Sequence, residues 1–410
     1  MAPDVVIVGG GAIGAACALE LSRAGASVTL LERGPSLASG CSAGNAGLIC
    51  PSHSAPLATR ASLHNGLRWI LKPDSPFYLK PRPAAVPWLA RFALAARHAE
   101  QGARIIRELS VASLELHATW GEELGTGFVR RGVLNVYASE ETLAAGSREA
   151  DASGLPFAAL DRAQALMLEP ALGERTVGAV LYRQEGHCDP LSFVRAVGEA
   201  AASAGAAIRT GADARLRRIN GRIAVVAGAE ELRPETVVLA AGAWSSRLAG
   251  DIGVRFPLEG GKGYHVDLEA GEGDPTRPVW LQESWAIATP LAGRLRLAGT
   301  LELAGLDVTI NRRRAEAVRA GGIRGLRGLA ERRVVDVWAG LRPCAPDGLP
   351  IIGRPTATPG LVVATGHAMK GLSLAPVTGR LVAQLVAGAP LDHDLASLRP
   401  DRFRPLLPLR

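Results

Sequence analysis

Three glycines and one acid near the start of the chain have types and spacing that suit a definite chemistry. Gly9-Gly10-Gly11-Ala12-Ile13-Gly14 matches G-x-G-x-x-G, and Glu32-Arg33 follows at the spacing of a ribose-binding acid. Gly9 permits a tight turn, Gly11 lets the backbone approach a pyrophosphate, and Gly14 allows a helix to pack closely on a strand. Ala12 and Ile13 open that helix, whose free N–H groups and positive dipole end suit phosphate oxygens. Glu32 can accept hydrogen bonds from ribose hydroxyls, and an acid there disfavours a 2′-phosphate. The competing reading is a structural glycine turn.

The flanking elements favour dinucleotide binding. Val5-Val6-Ile7-Val8 is a β-branched apolar run suited to a buried parallel strand. Ala15 to Ala24 reads as a helix closed by Gly25, and Ser27 to Leu31 as a second strand that delivers Glu32. The motif alone does not separate one dinucleotide from another. The next stretch, Ser39 to Leu48, is small, polar and glycine-rich, with Ser42, Asn45, Ala46, Gly47 and Leu48 as candidate contacts. Such a loop can run close to phosphates and to an isoalloxazine ring, which points to FAD.

The 410 residues, 48% hydrophobic and 21% charged, make a large globular core and exclude a disordered chain. The net charge of +7 fits anionic small molecules, membrane surfaces or nucleic acid without choosing among them. Five cysteines without a CxxC pair argue against a disulfide framework or a zinc site and for a reducing compartment. Met1-Ala2-Pro3-Asp4 leads straight into a strand, so no secretory leader is expected, and no apolar run reaches membrane-span length. A cytoplasmic protein is expected, with peripheral contact to the inner face of the membrane as a variant. The proline-punctuated stretch 50–98, which mixes Trp69, Trp88 and Phe92 with Arg68, Lys72 and Arg91, reads as a loop-rich cover over the site. Residues 66–98 are the part that would meet a membrane surface.

Further on, Val237 to Gly242 is an apolar strand ending in glycine, as Leu361 to Thr365 is before Gly366. Between them, Gly253 to Arg333 reads as short strands and turns of an antiparallel region, with a helix from Asn311. The chain therefore weaves between two domains.

Three segments together resemble the D-amino-acid oxidase and dehydrogenase family of flavoproteins. They are the Gly9–Gly14 loop, Trp338-Ala339-Gly340-Leu341-Arg342-Pro343 with Pro346-Asp347-Gly348, and Gly366-His367 with Gly371. The stretch Ser42 to Gly47 leading to Pro51 and Pro56 is most similar to the bacterial D-amino-acid dehydrogenases. The resemblance implies an α/β fold. A doubly wound, Rossmann-type FAD-binding domain (1–50, 151–250 and 335–410) would interleave with an α+β substrate domain bearing an antiparallel sheet (51–150 and 251–334). It also implies that Arg342 binds the substrate carboxylate, which agrees with the bidentate geometry of a guanidinium. Tyr264 and His53 are further pocket candidates. Gly242 and the turn Gly366, His367, Lys370, Gly371, Leu372 and Ser373 would face the flavin, with the N–H groups of Lys370, Gly371 and Leu372 as donors to its pyrimidine edge. Relatives that attach flavin covalently do so at a cysteine whose place falls on Gly340 here, not on Cys344, so the FAD is expected to be non-covalent.

The implied reaction is oxidative deamination of D-amino acids, cyclic ones such as D-proline or cis-4-hydroxy-D-proline included. Hydride would pass from the α-carbon to flavin N5, and electrons onward to a quinone or other carrier. A glycine- or sarcosine-type oxidase using oxygen is the alternative. A flavin module of tRNA modification is a third reading; no metal and no nucleic-acid partner is expected.

Overall fold

A computed structural model describes residues 4–60, 62–64, 75 and 77–403. Among the described residues the chain forms two large sheets. The first has six strands in the order Ile351–Gly353, Leu361–Thr365, Thr236–Leu239, Val5–Val8, Val28–Leu31, Ala207–Arg209. All neighbours are parallel except the terminal Ile351–Gly353 strand. Its central strands are buried on both faces, as their continuous apolar sequences require. The helices Ala12–Arg23, Pro190–Ser203 and Ala375–Ala387 share one apolar core with these strands. Close packing of two of them depends on Gly379, where a Cβ would lie 2.6 Å from the carbonyl oxygen of Ala16.

The second sheet has nine strands and is mostly antiparallel, built around the long strands Glu259–Glu269, Arg294–Leu303 and Val334–Cys344. Two pairings in it are parallel, Val133–Tyr137 with Val279–Leu281 and Phe77–Leu79 with Arg294–Leu303. The helix Arg312–Gly325 is capped by the Asn311 side chain and packs on this sheet.

The two-domain interleaving holds, but the strands divide differently from the sequence reading. Ala158–Asp161, Gly178–Tyr182 and Val334–Cys344 all hydrogen-bond in the nine-stranded sheet, although 151–250 and 335–410 read as dinucleotide domain. Short apolar runs look alike in either sheet; only pairing across the chain decides which one takes them. The proline-rich stretch is also more helical than its composition suggests. Val86–Ala95 is a helix because Pro87 sits in its first turn, where proline is tolerated. Residues 66–74 and 76 of the stretch read as membrane-facing lie outside the described residues. No helix among the described residues is long and apolar enough to cross a membrane.

Candidate active site

A cavity of about 1540 Å³ runs from the carboxyl ends of the parallel strands, at Gly9 and Glu32, to Arg342 on the nine-stranded sheet. It exceeds the roughly 300–1,000 Å³ of a pocket for one drug-sized molecule. A cofactor and a substrate fit that space together.

At the first end the glycines have distinct tasks. Gly9 holds φ +112°, and a Cβ on it would lie 2.5 Å from the carbonyl oxygen of Ala240. A Cβ on Gly14 would sit 1.8 Å from the carbonyl oxygen of Gly9, so only glycine lets the helix meet the strand here. Gly11, Ala12 and Ile13 border the cavity, and the N–H of Ala12 donates to Ser42 Oγ at 3.0 Å. That bond brings the Ser42–Leu48 loop to the helix start. Glu32 is buried and accepts from the N–H groups of Gly10 and Gly34, each at 2.7 Å. Each carboxylate oxygen retains capacity for a further donor such as a ribose hydroxyl. Arg33 lies over the Trp244 ring at 3.7 Å, and both border the cavity beside Gly242. A glycine cradle that a Cβ would fill, a helix N-terminus and an acid at the next strand's end fit the ADP half of FAD.

In the middle of the cavity two segments from opposite ends of the chain meet. Asn45 accepts from the N–H of Gly47 at 2.9 Å and donates through Nδ2 to the Met369 carbonyl at 3.1 Å. Gly47 itself holds φ +84°, and a Cβ there would lie 2.5 Å from the Cys188 carbonyl oxygen. Ala46 and Leu48 border the cavity. Opposite them, Gly366 turns the chain at φ +78°, and a 3₁₀ turn Ala368–Lys370 leads into the helix Ala375–Ala387. Residues from His367 to Ser373 line the cavity there. Two expectations need correction. The N–H of Lys370 donates to the His367 carbonyl at 2.8 Å, because the 3₁₀ turn takes it up, so it is already engaged within the protein. The His367 ring points inward to Thr378 Oγ1 at 3.0 Å, and burial pushes its pKa down to about 3.

The Lys370 side chain is partly buried and donates to the carbonyl of His53, and burial holds its pKa below the usual lysine range. His53 also lines the cavity, its ring 3.9 Å from that of Trp280. Its Nε2 lies 3.1 Å from Asn135 Oδ1 and its Nδ1 3.2 Å from Cys50 Sγ. Burial, reinforced by the Lys370 charge, pushes the His53 pKa down to about 3, so the ring is neutral with both nitrogens engaged. Behind it, Glu185 accepts from the N–H and the hydroxyl of Ser52 at 2.6 and 2.9 Å, and burial pushes its pKa up to about 8.

The far end is built on the nine-stranded sheet. Gly261 pairs with Arg342 and Gly263 with Gly340 across adjacent strands. The Arg342 guanidinium lies over Gly263, where a Cβ would be 2.2 Å from Cζ. The partner strand on the other side shifts register between Lys262 and Tyr264, which leaves Thr300 in a bulge at φ +58°. A β-branched residue in that region is strained, and such strain gathers at functional sites. Here the bulge aims the Thr300 carbonyl at Arg342 Nη1, 2.7 Å away. Among the described residues no carboxylate lies within ion-pair distance of Arg342, and burial lowers its pKa. Tyr264 also borders the cavity, but its hydroxyl donates to Glu302 Oε2 at 2.6 Å within a buried network with Lys262. The hydroxyl of this pocket candidate is therefore already engaged as a donor. Phe77, Trp88, Trp280, Trp285, Ile287 and Leu301 give this end of the cavity an apolar, aromatic lining. Cys344 lies off the cavity, its thiol turned toward the Arg342 carbonyl.

Sequence reasoning missed Thr300, Asn135, Glu185 and the pair Asp267–Arg296. None sits in a motif: Thr300, Asn135, Asp267 and Arg296 are placed by strand pairing that only the fold reveals, and Glu185 by the turn after Gly178–Tyr182.

A parallel-sheet dinucleotide cradle, opening onto a second sheet whose Arg342 has no carboxylate partner among the described residues, fits a flavin-dependent oxidoreductase. The DAO family model, FAD dependent oxidoreductase, matches residues 4–385, and the chain belongs to that family. It is 32% identical to a D-amino-acid oxidase of Bradyrhizobium diazoefficiens over 97% of this chain and 98% of the relative. It is 31% identical to a D-amino acid dehydrogenase of Cereibacter sphaeroides, over 97% of this chain and 95% of the relative. Among solved structures, glycine oxidase from Geobacillus kaustophilus superposes with a TM-score of 0.80 at 26% identity, covering 98% of this chain and 99% of that one.

Proposed function

We propose that the protein oxidises D-amino acids with uncharged side chains, cyclic ones included, and passes the electrons to a quinone or other carrier. The observation behind this reading is Arg342, a half-buried guanidinium on the cavity wall with no carboxylate partner among the described residues. A charge that a bound cofactor and substrate close off from water is costly unless paired. A substrate carboxylate supplies the missing anion, held bidentately and so fixed in direction as well as position.

The Thr300 carbonyl and Gly263 fix the guanidinium before substrate arrives. The aromatic lining around it favours apolar side chains and excludes water from the bound amino acid. When bound, FAD supplies the two-electron acceptor for the α-carbon and its neutral amine. The protein contributes orientation, since His53 has both ring nitrogens committed and Tyr264 its hydroxyl. The oxidised substrate is an imino acid, which water converts to a 2-oxo acid, with ammonia released from a primary amine. Curated relatives named for D-amino acids support the handedness.

The likeness to glycine oxidase supports a second reading, an oxidase of small amino acids that uses oxygen. An anaerobic titration over D- and L-amino acids, glycine, sarcosine and hydroxyprolines tests both. Bleaching of the flavin absorbance by neutral D-amino acids, without peroxide release in air, is the expected result. Bleaching by L-enantiomers alone, or by none of the panel, would overturn the proposal. Fast peroxide formation with glycine would favour the second reading.

A further inference from the structure

The Ser42–Leu48 loop is held from behind by side chains of the nine-stranded sheet. Asp267 stands directly opposite Arg296 on one neighbouring strand, and His265 opposite Trp338 on the other. His265 and Asp267, two residues apart, share a face of their strand. The Arg296 fork donates through Nε and Nη2 to the two oxygens of Asp267, each at 2.9 Å. Its remaining nitrogen, Nη1, donates to the carbonyls of Ala43 at 2.7 Å and Asn45 at 2.8 Å. The carbonyl between them, that of Gly44, lies 3.2 Å from His265 Nδ1. A carbonyl only accepts, so Nδ1 carries the proton. The His265 ring stacks on Trp338, with centroids 5.2 Å apart at 10°. Trp338 in turn lies against Gly44, where a Cβ would be 2.2 Å from the indole.

Three consecutive carbonyls are thus drawn toward one sheet. In a trans peptide the N–H points opposite to the C=O of the preceding residue. The carbonyls of Ala43 and Asn45 therefore turn the N–H groups of Gly44 and Ala46 the other way, and both residues border the cavity. N–H groups aimed alike at one site favour negative charge there. Arg296 and Asp267 are almost fully buried. An apolar cross-strand pair would hold the sheet without that desolvation cost, so the retained ion pair calls for a role beyond packing.

We propose that Arg296, braced by Asp267, and His265 are positioning residues that aim the Gly44 and Ala46 N–H groups at the flavin, and so set FAD affinity and flavin potential. This rests on the family's cofactor and not on which amino acid is oxidised.

The test uses the full-length holoenzyme and three variants, Arg296→Met, Arg296→Lys and the double variant Arg296→Met with Asp267→Asn. The double variant leaves no buried carboxylate stripped of this partner. FAD dissociation constants, midpoint potentials and the melting temperatures of the flavin-loaded and flavin-free forms are read for each. Arg296→Met and the double variant are expected to weaken FAD at least tenfold, lower the potential and shrink the melting-temperature gain from FAD. Arg296→Lys should recover part of this, because an ammonium is a point charge and cannot reproduce the fork. A folded double variant with FAD affinity within twofold of the wild type and an unchanged potential overturns the proposal. So does an equal loss of melting temperature in both forms, the mark of a merely structural pair. Failure of the substrate titration above would leave these readouts untouched.

Discussion

The two ends of the cavity are made by opposite strategies. At the dinucleotide end the polar groups are satisfied within the protein: Glu32 accepts two backbone N–H groups, and the N–H of Ala12 meets Ser42. Shape does the selecting there, through glycines whose missing Cβ atoms leave room for close backbone approach. At the amino-acid end Arg342 has no carboxylate partner among the described residues, and a strained Thr300 aims it. The first end is complete before its ligand arrives. On the proposed function, the second end is completed by the substrate carboxylate. Damage at the first should thus appear in cofactor retention, and damage at the second in substrate KM.

Gly14→Val is the harshest way to break this contrast. The added side chain begins 1.8 Å from a backbone oxygen that cannot yield without separating helix from strand. The purified variant is expected to lose bound FAD, with affinity down about 100-fold or more, read from the flavin-to-protein absorbance ratio. Arg342→Ala tests the other end. Removing one member of a buried charge pair costs about 2–5 kcal/mol, so KM is expected to rise on the order of 100-fold with FAD still bound. An unchanged KM in steady-state kinetics would remove Arg342 from the substrate site.

A finer cut separates the placement of the charge from the charge itself. Gly263→Ala keeps Arg342 but puts a methyl where the guanidinium lies. A rise in KM of about tenfold is expected, with FAD content unchanged and kcat altered less than KM. If FAD content falls instead, the two ends are not separable as described.

The contrast also explains what could be read from sequence. The dinucleotide end is local: strand, loop, helix and acid all lie within Val5 to Glu32, so residue types and spacing define it. Arg342 was legible only through its Gly-Leu-Arg-Pro neighbourhood and the family that shares it. Its supports were not legible, because Gly263 and Thr300 reach it through strand register and a bulge. Tyr264 misled for the same reason: a pocket-facing tyrosine looks identical in sequence whether or not Glu302 already holds its hydroxyl. The division of strands between the sheets failed at Gly178–Tyr182 because five buried apolar residues fit either one.

The smallest expected effect lies between the two ends, at Glu185, which touches neither ligand. Burial lifts its pKa to about 8, above the ordinary value of 4.5, despite the Ser52 hydrogen bonds and the Lys370 charge that oppose the shift. The folded protein therefore keeps a proton that the unfolded chain has released, and folding becomes less favourable as pH rises between these values. The contribution is fully present below about pH 4.5 and lost as pH passes through about 8, with a slope of at most about 1.4 kcal/mol per pH unit. Glu185→Gln cannot titrate, so its stability relative to the wild type should climb across that window and level off above it. Chemical denaturation of both proteins at several pH values checks this, with substrate KM and FAD content expected to stay the same. A parallel pH dependence in the two proteins would mean that Glu185 is ionised in the fold, paired with Lys370, and that the middle of the cavity carries a charge pair of its own.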